Sequence, residues 1–178
     1  MIGEIRDLAT AEMAVQAAQT GHMVLSTLHT NDAASSVTRL LDLGVPHYLI
    51  QSVLSGVMAQ RLVRTLCPYC KTPGQIDDEL WKALVQPWPL PRPETISAAH
   101  GCAECRNTGY LGRVGLYELM QVTPALRRLF RPKLSEDTLR REACAQGMRP
   151  LRVSAALQIA AGLTTFEEIA PILPPLSE

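Results

Sequence analysis

The stretch IGEIRDLATAEMAVQAAQTGHMVLSTLHTND, residues 2–32, decides the fold class. Ile2 to Asp7 has the composition of the last residues of a buried strand running into an acidic loop. Thr10–Thr20 is rich in helix formers, and Gly21 stands where a helix end places a left-handed residue. Met23–Leu28 is predicted as a second short buried strand, ending in the polar cluster His29, Thr30, Asn31 and Asp32. One of Thr30, Asn31 and Asp32 then caps a helix through Leu43, with Val37, Leu40 and Leu41 inward and Gly44 as the stop. Strand end, helix, strand, polar loop, helix is the alternation of an α/β fold. Its parallel sheet is covered by helices, and its ligands sit at the carboxyl ends of strands.

The whole chain sets the bounds around that stretch. Its 178 residues hold one medium domain or two small ones, and 47% hydrophobic against 4% aromatic residues imply an aliphatic, alanine-rich core. Seventeen basic and seventeen acidic residues cancel, which argues against a protein whose main work is coating nucleic acid or anionic lipid. No apolar run approaches the roughly 18 residues of a membrane span, and no signal peptide is evident. The expected compartment is therefore cytoplasmic, with any membrane association made through partners. In that compartment paired cysteines more often hold metal than form disulfides.

Further along, Pro46 suits a first helical turn, and Leu49, Ile50, Val53, Leu54, Val57, Met58, Leu62 and Leu66 recur at three- and four-residue steps. They predict a helical stretch up to Cys67, bent or divided at Gly56. Residues 71–101 carry Pro73, Pro87, Pro89, Pro91 and Pro93, with room for one short helix near Asp77–Val85. That composition suggests an excursion outside the main core. A strand is predicted from Arg113 to Met120. Helices are then expected from Pro124, from a Ser135 cap to Gly147, and from Leu151 to Ala161 before Gly162. Thr165 with Glu168 is a candidate capping box for the last helix, and Pro171–Glu178 is expected to fray.

The strongest chemical pattern is CPYC (Cys67, Cys70) followed by CAEC (Cys102, Cys105). Each CxxC turns two thiolates toward one point, and four thiolates satisfy tetrahedral zinc. The spacer from Cys70 to Cys102 is longer than the roughly 15–20 residues of a zinc ribbon, which favours a metal-pinned insertion. The alternatives are two disulfides or four free thiols. Cys144 has no such companion and is read as a small core residue.

Glu4 and Asp7 follow the first strand, where nucleotide-binding sheets place carboxylates for magnesium and water. The plainer alternative makes Glu4, Arg6 and Asp7 a solvated turn with Asp7 beside a helix N-terminus. His29 lies at the carboxyl end of the second strand and His22 at its opposite end, so only His29 is expected within reach of a terminal phosphate.

Together these residues resemble one family, the secretion ATPases of type II secretion systems and type IV pilus assembly. The resemblance rests on GEIRDLATAEMAVQAAQTGHMVLSTLHTNDAASSVTRLLDLG (3–44), QRLVRTLCPYC (60–70), GCAECRNTGYLGRVGLYELM (101–120), Gly147-Met148 and GLTTFEEI (162–169). It implies a RecA-like P-loop NTPase core in a homo-hexameric ring that turns Mg-ATP hydrolysis into motion at the inner-membrane platform proteins. By the same resemblance, Glu4 matches the Walker B glutamate, and His22 and His29 match a histidine box. Gln60, Arg61 and Arg64, with Arg6 and Asp7, are candidates for nucleotide binding or sensing.

The four cysteines match a structural zinc subdomain of the assembly and secretion branch, which retraction ATPases lack. The implied division is 1–66 for the C-terminal half of the ATPase core, 67–112 for the zinc-binding subdomain, and 113–178 for a returning strand and helical subdomain. No GxxxxGK[ST] phosphate loop occurs in the 178 residues. The expectation is therefore the C-terminal portion of a longer ATPase, carrying half of an active site and hydrolysing little ATP alone. A different class of function remains: a non-enzymatic zinc-ribbon module that binds nucleic acid or protein, with Arg61, Arg64, Lys71, Arg106 and Arg113 as a modest basic set. The neutral charge and few aromatic residues stand against nucleic acid.

Overall fold

Side-chain caps start several helices of this chain, and glycines stop several. The computed structural model describes residues 1–173. Helix α1, Leu8–Gln19, starts at Asp7, whose carboxylate accepts from the Thr10 amide at 2.8 Å. Behind it Gly21 sits at φ +92°, a conformation that an L side chain resists. There the amides of Gly21 and His22 turn back onto the carbonyls of Ala18 and Ala17. Helix α2, Ala33–Asp42, is capped by Asp32 and closes in the same way at Gly44. So do α6, Glu136–Ala145, at Gly147 and α7, Leu151–Ala160, at Gly162.

The other elements are α3 (His47–Val53), β1 (Gly56–Leu66), β2 (Thr72–Gly74), α4 (Asp78–Val85), β3 (Ile96–Ala98), β4 (Tyr110–Gln121), α5 (Pro124–Arg127) and α8 (Phe166–Ile169). Strand β1 pairs with β4, and β2 pairs antiparallel with β3. The β1–β4 pair is also antiparallel, because Val122 bonds Ser55 beyond one end and Cys67 bonds Gly109 beyond the other.

Two compact units result: Met1–Ala59 with Glu118–Met148, and Gln60–Tyr117 with Arg149–Glu178. Strands β1 and β4 pass from one to the other, so these units do not follow divisions at residues 66 and 112. In the first unit α1, α2, α3 and α6 bury Ala11, Ala34, Val37 and Ile50 with Met120, Phe130 and Leu139. In the second, Val63 and Leu116 of the strands join Trp81 and Leu84 of α4 and Leu151, Ala155 and Ile159 of α7. The turn between α7 and α8 is stitched to the end of β1: Leu66 N donates to Leu163 O at 2.8 Å, and Thr164 Oγ1 to Arg64 O at 2.9 Å.

Several expectations are corrected. Residues 2–7 and 23–28 form no regular strand. Ile2 N bonds Leu25 O and Ile5 N bonds Thr27 O, a parallel sense that does not continue as a ladder. Nor are both buried, since Met23 and Leu25 are 83% and 61% exposed. A parallel strand is buried by neighbours on both sides and on both faces, and an apolar run does not say which neighbours are present. The stretch from Leu49 to Leu66 is not helical throughout. It turns extended at Leu54, and β1 then alternates, with Ala59 and Val63 inward and Met58, Gln60, Leu62 and Arg64 outward.

The proline-rich stretch contributes nothing to the first unit's core, but its helix α4 supplies Trp81, Leu84 and Val85 to the second one. Thr165 caps α8 through the Glu168 amide, but the Glu168 carboxylate goes to Arg64 rather than back to the cap. The expected frayed end falls largely on residues 174–178, outside the described residues.

Candidate functional site

In the first unit the loop after Gly3 meets the loop after Thr27. Thr27 Oγ1 donates to Gly3 O at 2.7 Å, which sets the two backbones side by side just before the residues of interest. Glu4 Oε2 then accepts from Arg6 Nε at 2.6 Å, and Arg6 Nη2 lies equally close. The Arg6 guanidinium holds the Glu4 carboxyl below its usual range, so the group is a carboxylate at neutral pH. Across from it, His29 Nε2 lies 2.8 Å from Glu4 Oε1. This approach is close enough for an ion pair when the ring is protonated. It lacks the alignment of a hydrogen bond, however, and Oε1 is a buried oxygen with no hydrogen-bond partner among the described residues. Glu4 thus has one oxygen committed to Arg6 and one acceptor unpaired but buried beside an exposed imidazole. That arrangement can orient a water and accept its proton.

The His29 loop is anchored just past its tip. Thr30 Oγ1 and Ser36 Oγ share a hydrogen at 2.7 Å. Asp32, buried, accepts from the Ser35 amide at 2.8 Å, and Ser35 Oγ accepts from the Asp32 amide at 3.2 Å to complete a capping box. Glu118 of β4, also buried, accepts from the Ala33 amide at 2.9 Å. Arg140 of α6 donates to Asp32 Oδ2 at 2.6 Å and to Asp137 at 2.8 Å. Burial pushes the Asp32 carboxyl up, but the Ser35 amide and the Arg140 guanidinium outweigh it and hold the group below its usual range. Sequence reasoning placed neither Glu118 nor Arg140. A clue to Glu118 existed, because it shares the inward parity of Leu116 and Met120 in β4, where a carboxylate needs a partner.

The remaining candidates scatter. His22 Nδ1 lies 3.2 Å from Ala17 O and 3.1 Å from Thr20 Oγ1, closing the end of α1. Asp7 caps the start of that helix. Gln60, Arg61 and Arg64 belong to the second unit. Arg61 Nη1 bonds the Gln60 carbonyl. Arg64 is committed to Glu168, with Nε at 2.9 Å from Oε2, and its guanidinium lies 4.4 Å over the centre of the Tyr110 ring.

The four thiols of the second unit do converge. Their sulfurs all lie within 4.8 Å of one another, with Cys67–Cys102 at 3.9 Å and both Cys70–Cys105 and Cys102–Cys105 at 3.8 Å. A tetrahedron with metal–sulfur bonds of about 2.3 Å has sulfur–sulfur edges of about 3.8 Å, whereas a disulfide needs about 2.05 Å. The cage therefore fits a thiolate-bound metal and not two disulfides. Backbone amides of Gly101, Cys102 and Gly109 point at the sulfurs of Cys70 and Cys105 at 3.2–3.3 Å. Burial pushes Cys105 up, but the amides of Cys102 and Gly109 bring it down to about 6, while burial drives Cys70 to about 12. Four sulfurs converging on one point are a donor set that can hold a thiophilic metal ion. With all four ligands from protein, no position is left for a reacting molecule.

Comparison with known proteins places the chain in a family. Residues 1–171 match the family described as type II/IV secretion system protein. The chain is 51% identical over 174 residues to the type IV pilus assembly ATPase TfpB of Acinetobacter baylyi, covering 98% of this chain and 30% of that protein. It is 44% identical over 169 residues to the type II secretion system ATPase E of Vibrio cholerae, covering 95% of this chain and 33% of that protein.

Among solved structures, that of the pilus retraction motor PilT with bound ADP superposes with a TM-score of 0.62 at 26% identity, over 97% of this chain and 38% of that one. That of the ATPase DotB of Yersinia pseudotuberculosis gives 0.61 at 20% identity, over 96% and 35%, and speaks for the fold alone. The fold is accordingly that of an α/β ATPase core. The chain belongs to the type II/IV secretion system protein family, and it spans about a third of the length of the curated relatives it matches. No helix among the described residues is long and apolar enough to cross a membrane.

Proposed function

We propose that the chain supplies the hydrolytic edge of a RecA-like motor ATPase that drives protein secretion or type IV pilus assembly. Glu4 is the general base, His29 steadies the charge beside it, and Arg6 keeps Glu4 ionised. The observation that carries the reading is the 2.8 Å approach of His29 Nε2 to the unpaired Glu4 oxygen. Membership of a family whose curated relatives are named as pilus assembly and secretion ATPases supports it. A phosphate-binding loop elsewhere in the working protein holds the nucleotide, and this chain alone turns over little ATP. Magnesium, when bound with the nucleotide, neutralises phosphate charge. Glu4 orients the attacking water and takes its proton.

The four cysteines hold a structural zinc that places the second unit on the assembly and secretion side of the family. The working form is a homo-hexamer that acts on platform proteins at the inner membrane, where it is held through those partners. Of the other candidates, Arg6 acts through Glu4, while Asp7, His22 and Arg64 serve the fold.

A chimera in which residues 1–171 replace the matching segment of the Acinetobacter baylyi relative tests the reading. It should hydrolyse ATP, and Glu4→Gln should lower turnover by about 10²–10⁴-fold with ATP affinity retained, the range for losing a general base. A folded, oligomeric Glu4→Gln chimera that turns over at the parent rate would remove Glu4 from the chemistry.

A further inference from the structure

We propose that Arg140 is a positioning residue for His29: by bonding Asp32, the cap of α2, it fixes the turn that holds His29 against Glu4. The inference rests on the reading of Glu4 and His29 given above, and it assigns to α6 a role in that site.

Two carboxylates address the first turn of α2: Asp32 as its cap, and Glu118 as acceptor for the Ala33 amide. Both residues are buried, and a helix N-terminus offsets only about half a unit of negative charge. Arg140 is a cation facing this pair: it bonds Asp32 and Asp137 directly, and Glu118 acts on it at longer range. Without it, the buried Asp32 carboxylate loses its charged partner, and the cheapest relief is for the cap to swing outward.

Swinging the cap moves the site. Asp32 is three residues from His29, and the intervening turn is held from within by the Thr30–Ser36 contact. The Glu4 end is tied through Gly3 to Thr27, ahead of His29, and not to the Asp32 turn that moves. Loss of the Asp32–Arg140 bond therefore opens the gap between His29 Nε2 and Glu4 Oε1. Helix α6 also grips α2 one turn further along, where Thr38 donates to Glu136. A displacement of α6 thus reaches the His29 turn through two fixed points, which makes this helix a lever on the Glu4–His29 contact.

The test reads His29 directly in the 178-residue chain, by the NMR resonances of its imidazole at constant pH. Arg140→Gln is expected to move the His29 signals toward their position in a Glu4→Gln chain while leaving those of His22 and His100 in place. Asp32→Asn, which still caps a helix but carries no charge, should produce the same shift. The Asp32→Asn/Arg140→Gln double variant should shift no further than either single variant, and Arg140→Lys should restore most of the original position. Arg141→Gln, an exposed neighbour on α6, should change nothing. Should Arg140→Gln fail to fold, Asp32→Asn decides. Unmoved His29 signals in folded Asp32→Asn, or additive shifts in the double variant, would overturn the proposal.

Turnover separates it from the catalytic reading. In the chimera Arg140→Gln should lower kcat by about tenfold with KM for ATP unchanged. Shifted His29 signals beside an undiminished kcat would sink the catalytic role of the Glu4–His29 pair and leave Arg140 as its positioner.

Discussion

Asp32 is a buried carboxylate whose ionised form is favoured by folding, and that preference has a measurable pH signature. Its acid form is the ordinary state below an unfolded value of about 3.9. In the folded chain the amide of Ser35 and the Arg140 guanidinium hold it lower against the opposing effect of burial. A depressed folded value means stability that is present above the unfolded value and lost as the pH falls through the folded one. Arg140→Gln removes part of that preference. The variant should be less stable at pH 7 by about 1 kcal/mol, a figure discounted from the usual charged hydrogen bond because the guanidinium is partly exposed. Melts at pH 7 and pH 3 should show the gap between variant and parent closing as the pH falls. A gap that widened toward pH 3 would contradict the assignment. At this scale the motif singled out Glu4 and His29, which the fold brings within 2.8 Å, while Glu118 and Arg140 stayed hidden because their partners are 85 and 108 residues away.

Elements were legible wherever a local rule sets them. Asp7, Asp32, Asp77, Thr123, Ser135 and Thr165 all accept from an amide of the first turn of the helix they precede. Asp7 allows the two roles open to it to be separated. As a cap, Asp7→Ala should cost about 1 kcal/mol and speed amide exchange in α1, while Asp7→Asn should be nearly neutral. A folded Asp7→Asn chimera with greatly reduced turnover would instead show that the charge is needed at the site.

Strand β1 was illegible for a specific reason. Leu54, Met58, Leu62 and Leu66 fall four apart and complete a helical period, yet Met58 and Leu62 are outward-facing residues of a strand, 62% and 51% exposed. Two apolar residues on the solvent face erase the period-two signal that Ala59 and Val63 would otherwise show.

For the whole molecule, the two cores predict two separable responses to metal removal. The chain has two tryptophans, Trp81 and Trp88, and both belong to the second unit with the cysteine cage. Structural zinc sites bind with apparent free energies of about 10–16 kcal/mol, a large part of what holds a small unit together. Elemental analysis should find one zinc per chain. A chelator should shift tryptophan fluorescence to its unfolded value at a denaturant concentration where α1 still resists amide exchange, and Cys105→Ser should reproduce the effect. Metal-free protein with unchanged tryptophan emission would remove zinc from the account. Protons compete with metal for thiolates, so occupancy should fall on acidification.

The sequence by itself determined what short-range chemistry determines: where most helices begin and end, that Gly21, Gly44, Gly147 and Gly162 stop them, and that two CxxC knuckles offer four sulfurs. Each of these is decided within a few residues by a hydrogen bond or a backbone angle. Only the tertiary structure decided that the knuckles close into one cage, that Leu54–Leu66 extends rather than coils, and that α6 holds the turn beside Glu4. Those outcomes depend on which distant surfaces are buried against one another, and no local preference carries that information.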